Sequence, residues 1–242
     1  EARVVTLDDR AGLGDAIAGC EGMFALLPFD LGADDLDVHA DRLVTSIAGA
    51  VADAEIPRVV MLSSGGAHLP GETGPITGLH RLEQALRATD AVLTALRSGH
   101  FQEKVGDVID VARKSGLYPV FASSADVALP MVATRDLGEV VARELQATAT
   151  YDEAVDVVGP AYTERQVAAV LGSRLREQLQ VVTIPEGEWE YALMGAGFRA
   201  HVAASLAELY RADEAGMLAP CGDRSVQVST GIETTIDRML GM

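Results

Sequence analysis

The feature that most constrains the fold of this chain is an alternation, through its first hundred residues, between short apolar runs and amphipathic segments. The run Arg58-Val59-Val60-Met61-Leu62 is apolar after its first residue and stops at Ser63-Ser64 and a glycine- and proline-rich loop. Residues 78–88 then carry helical periodicity, and residues 91–96 are largely apolar again before Arg97-Ser98-Gly99-His100-Phe101. Strand, crossover helix and strand make a parallel βαβ unit. The upstream sequence repeats the pattern. Residues 3–7 read as a short strand ending at Asp8-Asp9, residues 13–18 as a short helix, and residues 23–27 as an apolar strand stopped by Pro28-Phe29. In residues 37–54, Leu43, Val44, Ile47, Ala48 and Val51 share one helical face. Runs that are apolar without alternation belong to strands covered on both faces, so this order predicts an α/β fold with a doubly wound parallel sheet.

Beyond residue 101 the pattern loosens. Residues 102–114 read as a polar helix ended by Ser115-Gly116, and residues 117–130 as a loop carrying Tyr118 and Phe121. Loops of that length in compact domains are usually functional or mobile. Residues 130–138 hand over from an extended piece to a helix with Leu137, Val140, Val141 and Leu145 on one face, for which Asp136 or Thr134 suits the N-cap. A strand at residues 155–158 precedes Gly159-Pro160. A helix at 163–171, a strand at 179–184 and helices near 188–194 and 199–215 then predict a smaller mixed lobe.

Composition narrows the function. A chain of 242 residues that is 48% hydrophobic can bury a large core. Its formal charge of -17 repels phosphate backbones and anionic lipid, which argues against nucleic-acid or membrane-surface binding. No apolar run approaches the roughly 20 residues that span a bilayer, and no signal peptide opens the given residues, so a cytoplasmic location is expected. The two cysteines, Cys20 and Cys221, are too few for a disulfide framework and read as reduced packing residues. The five histidines are scattered without ligand spacing, so no metal site is expected. Ser63-Ser64 lacks the Gly-x-Ser-x-Gly elbow of a serine hydrolase.

Three stretches carry a family resemblance: Leu62-Ser63-Ser64-Gly65, the Thr73-Gly74-Pro75-Ile76 loop with Leu79-His80 and Glu83 after it, and residues 131–138. Together they resemble NmrA-like proteins, atypical members of the short-chain dehydrogenase/reductase superfamily. The resemblance covers essentially the whole chain. It implies a Rossmann-like domain over residues 1–158 that binds NADP(H) or NAD(H), with residues 99–136 contributing to the cleft, and a small substrate-binding lobe over residues 159–242. It also implies a small-molecule substrate and admits a homodimer or protein partner.

Two departures from the family shape the expected chemistry. No Gly-x-x-Gly-x-x-Gly turn follows an amino-terminal strand, so the usual pyrophosphate cradle is absent. Measured against the family, the residues begin near the third strand, at Glu1. The first βαβ portion is therefore expected to lie upstream or to be supplied by another chain, because the strand at residues 23–27 would otherwise expose an edge. The second departure concerns the Tyr and Lys with which typical members protonate a carbonyl and hold the nicotinamide ribose. Anchored on Glu83, those positions hold Pro75 and Leu79.

The expected function is accordingly an NAD(P)H-dependent oxidoreductase, reducing a small quinone or conjugated carbonyl without that pair. The alternatives are a non-catalytic redox sensor, or a non-redox cyclase or isomerase using the same pocket. Ser63 and Ser64, at a strand end, suit ligand contact or loop capping, and Ser64 with His80 are the catalytic candidates. His80 adjoins the vacated Lys position, where it would reach the ribose or donate a proton, although a surface role suits it too. By family position Asp8, Leu27, Pro28, Phe29, Gly99, His100 and Phe101 line the dinucleotide. His68 is expected in solvent. Tyr118, Phe121, Trp189 and Phe198 would form an apolar substrate pocket or plain core.

Overall fold

The computed structural model describes residues 3–242. The alternation of apolar runs becomes α1 (Arg10–Ile17), β1 (Met23–Leu26), α2 (Leu36–Asp53), β2 (Arg58–Ser64), α3 (Ile76–Arg87) and β3 (Val92–Ser98). There follow β4 (His100–Phe101), a 3-10 turn at Gln102–Val105, α4 (Gly106–Ser115), β5 (Leu117–Val120), β6 (Ala128–Val132) and α5 (Thr134–Gln146). The remainder is β7 (Glu153–Val158), β8 (Ala161–Thr163), α6 (Glu164–Leu175), β9 (Gln180–Thr183), α7 (Trp189–Gly195), α8 (Ala200–Glu214), β10 (Arg224–Gln227) and α9 (Ile232–Met239).

The central sheet has the order β1-β2-β3-β7-β10, and every pair in it is parallel. Side chains alternate across a strand, and β2 shows the consequence: Val59 and Met61 enter the core under α2 and α3, whereas Val60 and Leu62 pack with α5 residues Leu137, Val140, Val141 and Leu145. Helices therefore cover both faces, as the doubly wound reading requires. A separate apolar cluster joins Val105, Ala112, Tyr118, Leu171 and Ile236 from α4, β5, α6 and α9 with the 3-10 turn.

Several local expectations are corrected. Residues 3–7 form no strand. An isolated extended segment has no ladder to join, and β1 lies at the sheet edge with no strand on its outer side among the described residues. Phe24 and Leu26 on β1 are 40% and 47% exposed. Residues 117–130 are not one loop but hold β5, which pairs with β9, and the start of β6, which pairs with β8 and β4. Neither Thr134 nor Asp136 caps α5: the Thr134 amide donates to the Glu103 carboxylate, and Asp136 accepts from Thr230. Both cysteines are exposed and so are not packing residues.

Strand β10 and helix α9 escaped the sequence reading. Although β10 lies within residues 159–242, it completes the central sheet beside β7. What seats it is charge: Arg224 donates to both carboxylate oxygens of Glu153 and to Glu144 at 2.8–3.4 Å, and these contacts raise the guanidinium pKa further. No helix is long and apolar enough to cross a membrane among the described residues.

The loop from β2 to α3 depends on glycine where α8 crosses it. Gly74 has φ +57, and a methyl group there would run into the Ser205 carbonyl oxygen on α8. Gly74→Ala should therefore cost about 2–4 kcal/mol in urea unfolding, from left-handed strain together with overpacking against backbone. Gly71→Ala, with nothing within 4 Å of the added methyl, should change stability by less than about 0.5 kcal/mol.

Candidate functional site

In an open parallel sheet, ligands bind outside the carboxyl ends of the strands. Here those ends are Leu27-Pro28-Phe29 after β1, Ser64-Gly65-Gly66 at and after β2, and Gly99-His100-Phe101 after β3. Pro28 and Gly99 are exposed, Phe29 is 44% exposed, and Phe101 is half-buried. Leu27 is turned inward, 3% exposed, against Gly78 of α3. Ser64 is half-buried. Asp8 is exposed on the α2 side, 3.6 Å from the Arg42 guanidinium, and hydrogen bonding from Thr6 lowers its pKa.

One step before the strand ends, the face beneath α3 changes from apolar to polar. Along β2 it runs Val59, Met61, Ser63; along β3, Leu93, Ala95, Arg97. Ser63, Arg97 and Asp156 of β7 are register partners, so they form a row across the sheet. Glu83 of α3, fully buried, descends into that row. Arg97 donates to both its oxygens, Nε to Oε1 at 3.1 Å and Nη2 to Oε2 at 2.7 Å, and Ser63 Oγ donates to Oε1 at 2.6 Å. The burial of Arg97 opposes its charge, but the hydrogen bonds and charge of Glu83 outweigh this and raise its pKa. The Ser63 side chain is thus held within the protein, at 2% exposure.

His80, on the same helix, directs Nδ1 to the Ala67 carbonyl oxygen at 2.9 Å. A carbonyl only accepts, so Nδ1 carries hydrogen and Nε2 holds the lone pair of the neutral ring. Leu79 is 6% exposed in the core and Pro75 opens α3 at φ -59, so neither position offers a polar group to a ribose or a carbonyl.

A second group of residues gathers around α8, which crosses beside the strand ends. His100 Nε2 lies 3.1 Å from Asp213 Oδ2 of that helix. Burial alone would lower the His100 pKa, but its hydrogen bond to Asp213 and the charges of Asp213 and Glu164 prevail and raise it. Glu164 in turn accepts from the Tyr118 hydroxyl at 2.7 Å, and burial with this carboxylate pushes the phenol pKa up. Tyr210 of α8 stacks at 5.3 Å on Phe121 and meets Trp189 edge-on at 5.7 Å. Trp189 is completely buried and donates Nε1 to the Ile184 carbonyl. The Glu214 carboxylate accepts from the Ser123 amide.

The structure therefore brings His100, Tyr118, Phe121 and Trp189 to one side of the molecule, through Asp213, Tyr210 and Glu164. Phe198 lies half-buried in the turn before α8. The connecting residues were missed by sequence reading. The i, i+3 spacing of Tyr210 and Asp213 could have flagged one face of α8, whereas nothing local marks Glu83 and Arg97 as partners.

No family model matches the chain, and no curated protein is significantly similar to it. Solved structures are similar in fold. The triphenylmethane reductase of Citrobacter sp. superposes with a TM-score of 0.78 at 18% identity, over 100% of this chain and 84% of that one. An NADPH-dependent quinone oxidoreductase of Escherichia coli, crystallised with NADPH, gives 0.73 at 19%, over 98% and 83%. A nucleoside-diphosphate-sugar epimerase of Staphylococcus aureus gives 0.76 at only 9%, over 97% and 82%. These likenesses establish a Rossmann-like α/β fold over nearly the whole chain.

Glu83→Gln leaves Arg97 buried without its main counter-charge and should cost about 3–5 kcal/mol in urea unfolding; adding Arg97→Met should recover much of that loss. Because the folded-state pKa of His100 is raised, its contribution to stability is full below the ordinary imidazole value of 6.5 and is lost as pH rises through the higher folded value. Asp213→Asn should remove that slope from a plot of melting temperature against pH; an unchanged slope would reject the pairing.

Proposed function

We propose that this chain is an NADP(H)-dependent reductase of a small quinone or conjugated carbonyl, working without a Tyr-Lys pair. The observation that carries the reading is the parallel sheet with exposed Pro28, Phe29 and Gly99 at its carboxyl edge, in a fold shared over nearly the full chain with an oxidoreductase crystallised with NADPH.

The fit to a dinucleotide is uneven. The strand ends suit the nicotinamide half: Gly99 is exposed after β3, while Phe29 and Phe101 provide apolar surface. At the phosphate half, α1, α2 and α3 are capped by Asp9, Asp35 and Pro75, not by the glycine turn that cradles a pyrophosphate. The glycines after β2 are not a substitute, because Gly65 is packed against the Leu218 carbonyl oxygen. When bound, the cofactor supplies hydride. The chain's own contribution is to deliver a proton, for which His80 is the candidate: with Nδ1–H held by the Ala67 carbonyl, Nε2 takes up a proton from solvent and passes it on. Hydride addition to a conjugated carbon places less demand on the protein for a proton than reduction of an isolated carbonyl, which fits Pro75 and Leu79 at the usual acid and Lys positions.

Those same two residues favour a second reading, a dinucleotide sensor that binds without turnover. An NADPH titration followed by a quinone and enone turnover screen separates the two. Turnover supports the reductase and binding alone the sensor, whereas no binding at saturating NADPH overturns both. In the reductase, His80→Ala should lower kcat by roughly 10²-fold; unchanged kinetics would remove His80 from the mechanism.

A further inference from the structure

We infer that Cys221 and His68 form a nucleophile–base pair, and that Cys221 is a covalent modification site for soft conjugated electrophiles such as enones, maleimides and quinones.

Cys221 lies in the turn between α8 and β10, and His68 in the loop between β2 and α3, separated by 153 residues in sequence. The Cys221 Sγ is 3.1 Å from His68 Nδ1, within hydrogen-bond reach for sulfur. On its other side Arg97 Nη1 points at the sulfur from 3.8 Å. Arg97 is held there by its two bonds to Glu83, so the cation is fixed rather than swinging on an exposed stem. The turn carrying the thiol is anchored next door, where the Gly222 amide donates to Asp156 Oδ2 at 2.6 Å and the Asp223 carboxylate accepts from the Ala154 amide. An imidazole nitrogen within reach of the thiol proton and a guanidinium beside the sulfur are the neighbours that nucleophilic attack by sulfur uses. Both Cys221 and His68 are exposed, so an electrophile has access.

The step balances without an oxidant. The thiol proton passes to His68 Nδ1 and the sulfur forms a bond to the β-carbon of the electrophile. The carbon–carbon π bond breaks, and the resulting enolate takes the proton back from the imidazolium. A thioether is the only product, with no net redox change.

The chain contains its own control. Cys20 is also exposed, but no side-chain partner is found for its sulfur among the described residues. With limiting N-ethylmaleimide at pH 7 on the intact protein, intact mass and peptide mapping should place the first adduct on Cys221, at a rate at least about tenfold above that of Cys20. His68→Ala should erase most of this advantage while leaving the Cys20 rate and the melting temperature unchanged, since His68 lies on the surface. Equal labelling of the two cysteines, or a Cys221 advantage that survives in His68→Ala, would overturn the proposal. The Cys20→Ser variant should still label once and Cys221→Ser should label slowly; the reverse pattern would also reject it. None of these outcomes depends on NADPH binding.

Discussion

The buried ion pair between Glu83 and Arg97 is the contact on which the carboxyl side of the sheet depends. Glu83 is 0% and Arg97 8% exposed, so neither charge keeps its water. Two charges removed from water are tolerated only when their geometry is good and their remaining hydrogen-bonding capacity is used. Here Arg97 meets the carboxylate through Nε and Nη2, Ser63 takes a further lone pair of Oε1, and Arg87 approaches Oε2 at 3.5 Å. The pair ties α3 to β2 and β3 below the loop where a ligand would enter. An apolar pair of equal volume could hold the helix as firmly, and its advantage over such a pair is directional. The carboxylate fixes where the Arg97 fork points, and the fork reaches Cys221.

That arrangement explains why the loops above the sheet are coupled. The β2–α3 loop is gripped from above by α8, through Gly74 beneath Ser205, and by the next turn, through Gly65 beneath Leu218. From below it is steadied by His80 on Ala67. His100 and Asp213 add a link between β4 and the same helix. Helix α8 is consequently the element through which the strand ends and the aromatic cluster of Phe121, Tyr210 and Trp189 communicate.

The sequence made the core of this fold legible and left its periphery obscure, for one physical reason. Val59 to Leu62 and the stripe Leu43, Val44, Ile47 and Val51 announce themselves because burial imposes a continuous apolar run on the strand and a helical period on the stripe. Elements decided by distant partners impose none. Strand β10 is mostly exposed and reads Arg-Ser-Val-Gln; it is a strand because Arg224 finds Glu144 and Glu153. Strand β5 contains Pro119, which in sequence suits a loop, yet it forms because β9 lies alongside. The converse case is residues 3–7, whose composition suits a strand but which have no neighbour to pair with among the described residues. The site divides in the same way. Strand-end position draws attention to Ser63 and His100, and the family resemblance to His80, but each side chain's surroundings follow from Glu83, Ala67 and Asp213, none of which is marked as a partner in sequence.

Cys221 and His68 are the sharpest instance. Read singly, one is a packing cysteine and the other a solvated loop histidine, and each reading is reasonable from its neighbours in sequence. They meet because β10 returns to the central sheet: pairing β10 with β7 leaves the turn before it bound to Ala154 and Asp156, and the register places Asp156 beside Arg97. The same register that aligns Ser63, Arg97 and Asp156 into a row therefore sets a cation next to a thiol at the row's outer end. If a soft electrophile is also what the strand-end cleft accepts, the thiol and the cleft compete for one class of compound.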